Sequence, residues 1–273
     1  MLAVAWWGKI IGGAIGLVGF GPLGALVGVA IGSGFDKAIK NSAEEMNPTE
    51  RTQTAFFIAT FSVMGYVAKA DGRVSSEEIS YAKHVMRHMS LNPEQRKTAI
   101  DLFNQGKELD FDLTGVLENF SKFCKRNRNI KRMFVSVQIE GAFADGHVQH
   151  DEYDTLQFIA EVLGFNQVEF TELFEAVASE RVGASHQDSS SGATQRKFTA
   201  TSDDYKMLGI SKEASDVDVK RAYRRKISQF HPDKLVSKGL PDEMIDMATE
   251  KSKQIRAAYE RIRDARKQAD SVH

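Results

Sequence analysis

The fold prediction starts from residues 223–233, which read YRRKISQFHPD. Apolar residues at helical spacing run into this stretch and define one face of a helix: Val219, Tyr223, Ile227 and Phe230. Basic residues fall mostly on the other faces: Lys220, Arg221, Arg224, Arg225 and Lys226. Because Pro232 has no amide hydrogen and disfavours helical angles at the residue before it, the helix is expected to end at Phe230. This leaves His231, Pro232 and Asp233 on an exposed loop.

A second helix is predicted shortly after this loop. Pro241 fits a first helical position, and Asp242 and Glu243 suit the positive end of the helix dipole. An inner stripe follows at helical spacing: Met244, Met247, Ala248, Lys251, Ile255, Ala258, Tyr259 and Ile262. The two helices together predict a helical hairpin.

Four blocks of residues in this region resemble the J domain of DnaJ-type co-chaperones and occur in the same order. They are Asp204, Tyr205, Leu208 and Gly209, then Ala222 and Tyr223, then His231, Pro232, Asp233 and Lys234, then Ile255, Ala258, Tyr259 and Glu260. In that family the basic helix docks on a DnaK-type ATPase, and the His-Pro-Asp loop triggers ATP hydrolysis by the partner. The resemblance implies these roles for His231, Pro232, Asp233, Lys220, Arg221, Arg224 and Arg225. Family members usually carry an apolar residue where this chain has Lys226, so the packing at that position is left open.

The length of the chain allows about two domains, and its cysteine content favours a reducing compartment. The chain has 273 residues, and 36 basic side chains are balanced by 37 acidic ones, so its bulk charge predicts no partner. Cys124 is the only cysteine, which excludes a disulfide within the chain and a cysteine-based zinc site. No cofactor and no nucleic-acid partner are predicted.

An uncharged segment near the N-terminus predicts a membrane anchor over residues 1–36. Residues 10–35 carry no charge, and as a helix they would reach about 39 Å, more than the roughly 30 Å core of a bilayer. Lys37 and Lys40 follow the segment closely, which favours a short periplasmic N-terminus and cytoplasmic C-terminal domains. A hairpin that turns at Gly21 and Pro22 within one leaflet is the alternative.

Glycines recur every four residues along this segment and predict a homodimer. Small residues at that spacing let two membrane helices approach closely. The proposed contact residues are Gly12, Gly16, Gly24, Gly28 and Gly32.

Residues 46–182 are predicted to be entirely helical and to contain an internal duplication. One sequence block is repeated: Ala70, Asp71, Gly72, Val74, Glu77 and Glu78 match Ala144, Asp145, Gly146, Val148, Asp151 and Glu152. The duplication predicts two similar helix pairs in one bundle. This repeated pattern resembles the TerB domain, named for tellurite-resistance proteins.

The acidic residues of the two repeats are weak candidates for a metal site. Hard oxygen ligands are supplied by Asp71, Glu78, Asp145 and Glu152. The Asp-x-Asp-x-Asp-Gly spacing of a calcium-binding loop is missing, however. Helix capping is the favoured interpretation.

A basic cluster could contact anionic lipid or an acidic partner, although a solvated surface is favoured: Lys125, Arg126, Arg128, Lys131 and Arg132.

The predicted architecture is all-α, with a membrane anchor, a TerB-like bundle, a flexible linker over residues 183–201 and a J domain over residues 202–273. The linker predicts a J domain that is tethered rather than docked. The whole arrangement resembles the DjlA co-chaperones of Gram-negative inner membranes. That resemblance implies a DnaK co-chaperone at the cytoplasmic face, in a family associated with envelope-stress and capsule signalling. A membrane-bound stress-sensing scaffold with an accessory J domain is the alternative, and no enzyme motif is found.

Overall fold

A computed structural model describes residues 48–89, 91–124, 127–185, 200, 202–237, 240 and 244–271. The predicted membrane anchor and its glycines therefore lie outside the described residues. Every regular element within these ranges is a helix, which confirms the all-α prediction. None of the helices described is long and apolar enough to cross a membrane. The chain divides into two compact units: Met1–Phe165 with Val236–Ile245, and Asn166–Leu235 with Asp246–His273.

The first unit is a bundle built around one central helix. Its helices are α1 (Pro48–Ala68), α2 (Ser76–His88), α3 (Pro93–Gly106), α4 (Leu113–Phe123), α5 (Arg128–Ala142) and α6 (His150–Val162). Helix α1 packs against each of the other five. All residues from 55 to 64 are buried, so this helix is covered on every side, as expected for a helix that is apolar all round. Phe56 makes edge-to-face contacts with Phe120 of α4 and Phe134 of α5.

The internal duplication predicted from the sequence is present in the structure. Helices α2 and α6 each have thirteen residues, and each follows a turn whose glycine has a positive φ, 91° at Gly72 and 99° at Gly146. The backbone amides of Ser75 and Gln149 donate to glutamates three residues further on. The two copies therefore share their turns and capping as well as their helix lengths.

Two glycines bring α1 and α3 into backbone contact. A Cβ at Gly65 would lie 2.0 Å from the carbonyl oxygen of Phe103, and one at Gly106 would lie 1.8 Å from that of Ser62. No other residue type fits these positions without a shift of the backbone. This crossing fixes α3 on the central helix.

The second unit contains the predicted helical hairpin. Its helices are α7 (Gln167–Ser185), α8 (Ser202–Leu208), α9 (Asp216–Phe230), α10 (Pro232–Val236) and α11 (Ile245–Ser271). Helix α8 packs against both α7 and α9. Three contacts show that α9 and α11 run antiparallel: Ser252 Oγ donates to the Phe230 carbonyl at 2.9 Å, the Tyr223 and Tyr259 rings stack at 4.2 Å, and Arg266 pairs with Asp216 at 2.7 Å.

The second half of the hairpin follows the sequence prediction closely. All residues of the predicted α11 stripe are buried except Tyr259, which is half-buried against Tyr223. The predicted helix start at Pro241, Asp242 and Glu243 lies outside the described residues.

On α9 the predicted inner face is partly wrong. The buried residues of α9 are Val219, Ala222, Lys226 and Phe230, whereas Tyr223 and Ile227 are half-buried. Lys226, which the charge pattern placed among the basic residues of the outer faces, therefore belongs to the inner face. A long aliphatic stem can occupy an apolar position when its ammonium reaches a polar neighbour.

The region between the bundle and the hairpin also differs from the prediction. Helix α7 continues to Ser185, so the first three residues assigned to the linker are helical, and most of the remainder lies outside the described residues. Helix α8 packs against α7, which contradicts a J domain held only by a tether. Linker composition carries no information about helices that meet beyond the linker.

Candidate functional site: a basic helix face and its terminal turn

The side chains of one surface of α9 form an exposed basic face. Its members, which we call the basic face, are Lys220, Arg221, Arg224 and Arg225, and all four are exposed. Arg221 pairs with Asp218 at 2.9 Å, one turn earlier, and both side chains remain largely in solvent. Such a pair contributes little and is easily exchanged for another partner. The basic face therefore stays available to an acidic surface.

The His-Pro-Asp tripeptide lies at the C-terminal end of α9. His231 ends that helix with extended backbone angles, and its carbonyl accepts from the Leu235 amide at 3.1 Å. Pro232 and Asp233 are the first two residues of the short helix α10, so the prediction of an irregular loop is wrong in this detail. The reason is that proline suits a first helical position and an early aspartate suits the helix dipole.

Two side chains of the tripeptide are exposed to solvent, the aspartate more than the histidine. The side chain of Asp233 is 91 % exposed and that of His231 is 45 % exposed. Their Nδ1 and Oδ2 atoms are 4.0 Å apart, the limit of an ion pair. Among the described residues the buried Nδ1 of His231 has no hydrogen-bond partner. An outward aspartate and a half-exposed imidazole can both contact a second protein.

Hydrogen bonds from neighbouring side chains hold this turn in place. Lys234 Nζ donates to Ser228 Oγ at 2.7 Å and connects α10 to α9. Ser252 of α11 donates to the last carbonyl of α9. The turn is therefore supported from both of its neighbouring helices.

Sequence reasoning missed the ion pair that connects a buried aspartate of α8 to a partly exposed arginine of α11. Asp204 is 3 % exposed and accepts two hydrogen bonds from the Arg261 guanidinium, with Nε at 2.9 Å. Arg266 lies over the Tyr205 ring, 5.4 Å from its centroid, and donates to the carbonyls of Lys212 and Ala214. An arginine on a charged helix gives no sequence signal that it will pair with a residue about sixty positions away.

Of the four acidic candidates for a metal site, Glu78 and Glu152 cap helices, and Asp71 and Asp145 stabilise the turns before those helices. Asp71 and Asp145 accept from backbone amides two residues further on, at 2.8 and 3.0 Å. Glu78 and Glu152 accept from the amides of Ser75 and Gln149. In the part of the chain that the structure describes, no group of three or more metal-binding side chains is assembled. The geometry agrees with the favoured capping interpretation.

Glu78 and Glu152 nevertheless meet, and the pKa values of both carboxyls are raised, chiefly by burial. Each is the third residue of its helix, and each is buried, with 7 % and 5 % of its surface exposed. Burial raises the pKa of both carboxyls, and the charge on Glu78 adds to the rise that takes Glu152 to about 7. The two copies of the duplication are therefore joined by two carboxyls that are costly to ionise together.

The predicted basic cluster at the start of α5 is largely engaged within the bundle. Lys131 donates to Ser121 Oγ at 2.7 Å, while Arg128 and Arg132 lie over the Phe165 ring at 4.8 and 5.7 Å from its centroid. Lys125 and Arg126 lie outside the described residues. These contacts favour a structural role for the described members of the cluster.

Family models match three successive parts of the chain. Residues 3–45 match the Co-chaperone DjlA transmembrane domain, residues 57–174 match the Tellurite resistance protein TerB family, and residues 203–270 match the DnaJ domain. The hairpin with its basic face and His-Pro-Asp turn thus defines a J-domain protein, and the bundle is TerB-like. The match at the N-terminus supports the predicted membrane anchor.

Curated relatives match along almost the entire length. The Co-chaperone protein DjlA of Coxiella burnetii is 39 % identical over 96 % of this chain and 98 % of its own. The proteins of the same name from Legionella pneumophila and Salmonella typhimurium are each 38 % identical, over 94 % and 95 % of this chain and 94 % and 97 % of their own. No solved structure matches the chain. This chain belongs to the DjlA family of co-chaperones.

Proposed function

We propose that this protein stimulates ATP hydrolysis by a DnaK-type chaperone at the cytoplasmic face of the inner membrane. The observation that carries the proposal is the combination of an exposed basic face on α9 with an outward Asp233 and a half-exposed His231 at its end. A positive helix face attracts an acidic partner and sets its orientation. The turn at its end then contacts the partner at a fixed distance from that face.

A membrane anchor would determine where this stimulation takes place. With a short periplasmic N-terminus and cytoplasmic C-terminal domains, the anchor would concentrate the J domain near clients at the membrane. A dimer through Gly12, Gly16, Gly24, Gly28 and Gly32 would place two J domains side by side. Replacing these glycines with leucine should abolish cross-linked dimers in membranes, and undiminished cross-linking would exclude this helix contact. Links to envelope stress or capsule signalling remain part of the family-level expectation.

The decisive experiment measures the ATP hydrolysis rate of a purified DnaK-type chaperone with and without the full chain in detergent micelles. We expect the wild-type chain to raise the rate and His231→Gln to lower that stimulation at least about tenfold, because the contact with the partner that the proposal assigns to this side chain is lost. The fold should be unaffected, since the His231 side chain is half in solvent.

The matched control is His150→Gln, which makes the same chemical change at an exposed histidine of the bundle. This control should retain full stimulation.

Reversing the charge at Arg224 and Arg225 should weaken binding to the chaperone in a salt-dependent way, whereas reversing the charge at the exposed Arg87 of α2 should not. Full stimulation by His231→Gln would overturn the proposal and leave the scaffold alternative.

A further inference from the structure

The exposed side of α6 carries a stripe of acidic residues. Asp151, Asp154, Phe158 and Glu161, which we call the acidic stripe, are all exposed, and Phe158 is 42 % exposed. At about 100° per residue they lie within about 80° of one another around the helix axis. The helix contains no lysine or arginine. The stripe is therefore a negative surface with one large apolar side chain in it.

The first copy of the duplication has no such stripe. Helix α2 carries Glu77, Ser80, His84 and Arg87 at the four matching positions. Because α2 forms the same thirteen-residue helix without these charges, the acidic stripe is not required by the repeated fold. It is a surface property of the second copy alone.

The basic face of α9 has an exposed apolar residue at its N-terminal end. Val217 is 66 % exposed, and it lies about one turn before Arg221 and two turns before Arg224. Helical spacing places these three residues opposite the buried side of α9, which consists of Val219, Ala222, Lys226 and Phe230. The open surface of α9 thus combines positive charge with one apolar side chain, which complements the acidic stripe.

The two surfaces match in spacing as well as in charge. On α6, two aspartates lie four and seven residues before Phe158. On α9, two arginines lie four and seven residues after Val217. If the helices lie antiparallel with Phe158 on Val217, each of these carboxylates comes to lie beside a guanidinium. The resulting pairs are Asp154 with Arg221 and Asp151 with Arg224.

Neighbouring charges on the same helices do not prevent this pairing. Asp154 lies 3.4 Å from His150, and Arg221 lies 2.9 Å from Asp218, but the side chains of both pairs remain largely in solvent. Such pairs contribute little and exchange readily for other partners. The acidic residue just before Val217, Asp216, is paired with Arg266 at 2.7 Å, which compensates its charge.

We propose that the acidic stripe of one copy of this chain binds the basic face of a second copy, with α6 and α9 antiparallel. A second copy is the occupant because both surfaces are exposed within the single chain. Exposed ion pairs are individually weak, so the contact forms where copies are concentrated. Copies held on one membrane meet at effective concentrations of about millimolar, which is enough for a contact of this kind.

The contact has a regulatory consequence that rests on the proposed function. It covers the surface to which we assign the chaperone partner, so a J domain bound by a second copy is withheld from the chaperone until the two copies separate. The contact itself does not depend on any activity toward a chaperone.

The experiment is thiol cross-linking between two variants of the full chain in detergent micelles. The native Cys124 is fully buried, and burial raises the pKa of its thiol to about 12, so introduced cysteines react selectively. Thr155→Cys in a tagged copy and Lys220→Cys in an untagged copy face each other in the proposed register and leave both ion pairs intact. A short bis-maleimide should join tagged to untagged copies.

The control for this cross-link moves one cysteine to a distant exposed position. Leu109→Cys lies in the turn after α3, where the native side chain is fully exposed, and it is paired with the same Lys220→Cys copy. We expect at least about fivefold more cross-linked product from the Thr155→Cys pair, and this excess should fall as salt is added. Equal yields from the two pairs would overturn the proposal.

Charge reversal tests the two ion pairs and the register. Asp151→Lys with Asp154→Lys, placed in both cysteine variants, should reduce cross-linking to the level of the Leu109→Cys control. Adding Arg221→Glu with Arg224→Glu to both variants restores opposite charges and should restore the cross-link, which also shows that the reversed chains are folded. The matched control is Glu94→Lys with Asp101→Lys, two exposed acidic residues of α3 that are also seven positions apart, and it should change nothing.

Two outcomes of the charge reversal contradict the proposal. Undiminished cross-linking by the aspartate variants, or no recovery after the second reversal, would exclude these pairs. Cross-links that form only within a chain carrying both cysteines would assign the contact to a single copy and would equally overturn the proposal. Because no chaperone is present, each of these failures is distinct from a failure of the proposed ATPase stimulation.

Discussion

The two copies of the duplication have the same local structure but different third helices. Both third helices begin at matching places, α3 after Asn92 and α7 after Asn166, and each asparagine accepts from the amide three residues later at 2.9 and 3.0 Å. Helix α3 then packs on the first helix of its own copy, whereas α7 packs on α8 of the J domain. Matching local signals therefore start the two helices at matching places without dictating what those helices pack against.

The physical difference between the copies lies in two glycines. Gly65 and Gly106 allow the backbones of α1 and α3 to touch. In the second copy the matching places hold Ile139 and Glu180. A residue with a Cβ cannot be accommodated in a crossing this close, so the second copy cannot repeat it. Its third helix thus has an apolar face for a different partner.

The largest expected effect comes from giving the first copy the residue of the second. Gly65→Ile introduces a Cβ about where the Phe103 carbonyl lies, and we expect it to cost more than about 4 kcal/mol of stability or to prevent folding of the bundle. Thermal unfolding of the full chain in detergent, followed by circular dichroism, measures this loss. Gly65→Ala should lie between this variant and the native chain.

The control for this change is Gly141→Ala in α5 of the second copy. A Cβ there would be 3.4 Å from the Tyr81 ring, an ordinary van der Waals contact with a side chain, so we expect a change in stability below about 1 kcal/mol. If the stability of Gly65→Ile differs from that of the native chain by less than about 1 kcal/mol, the close crossing of α1 and α3 does not fix the position of α3.

A smaller effect is expected where the two copies meet through their glutamates. Because the pKa of Glu152 is raised to about 7 in the folded protein, the folded state binds more protons than the unfolded state between pH 4.5 and about 7. Stability should therefore fall as pH rises through this window, by up to about 3 kcal/mol, and level off above it. Denaturant unfolding at a series of pH values measures the slope.

Glu152→Gln keeps an oxygen that can accept from the Gln149 amide but removes the ionisable group, so it should flatten most of this slope. Asp151→Asn, an exposed neighbour in the same helical turn, is the matched control and should retain the slope of the native chain. Equal slopes for the native chain and Glu152→Gln would show that the buried carboxyls do not control the pH dependence.

Local patterns predicted most of the helices and the main parts of the site. The α11 stripe, the end of α9 at Phe230, the repeated turns and the exposed basic face each follow from spacing, proline geometry or glycine angles within a few residues. Lys226 was assigned to the wrong face because a charge pattern gives no weight to an aliphatic stem. The contacts of Asp204 with Arg261 and of Glu78 with Glu152 connect residues far apart in the chain and leave no local signal.

The sequence by itself determined most of the helical segments, the end of α9 at Phe230, and that a positive helix face precedes a proline turn. These are consequences of backbone angles and side-chain spacing over one or two turns, which each segment carries with it. Only the tertiary structure decided that α3 packs on α1 and α7 on α8, and that Lys226 lies on the buried face of α9. Such choices depend on whether two distant backbones can approach and whether a buried charge meets its opposite, which no segment specifies alone.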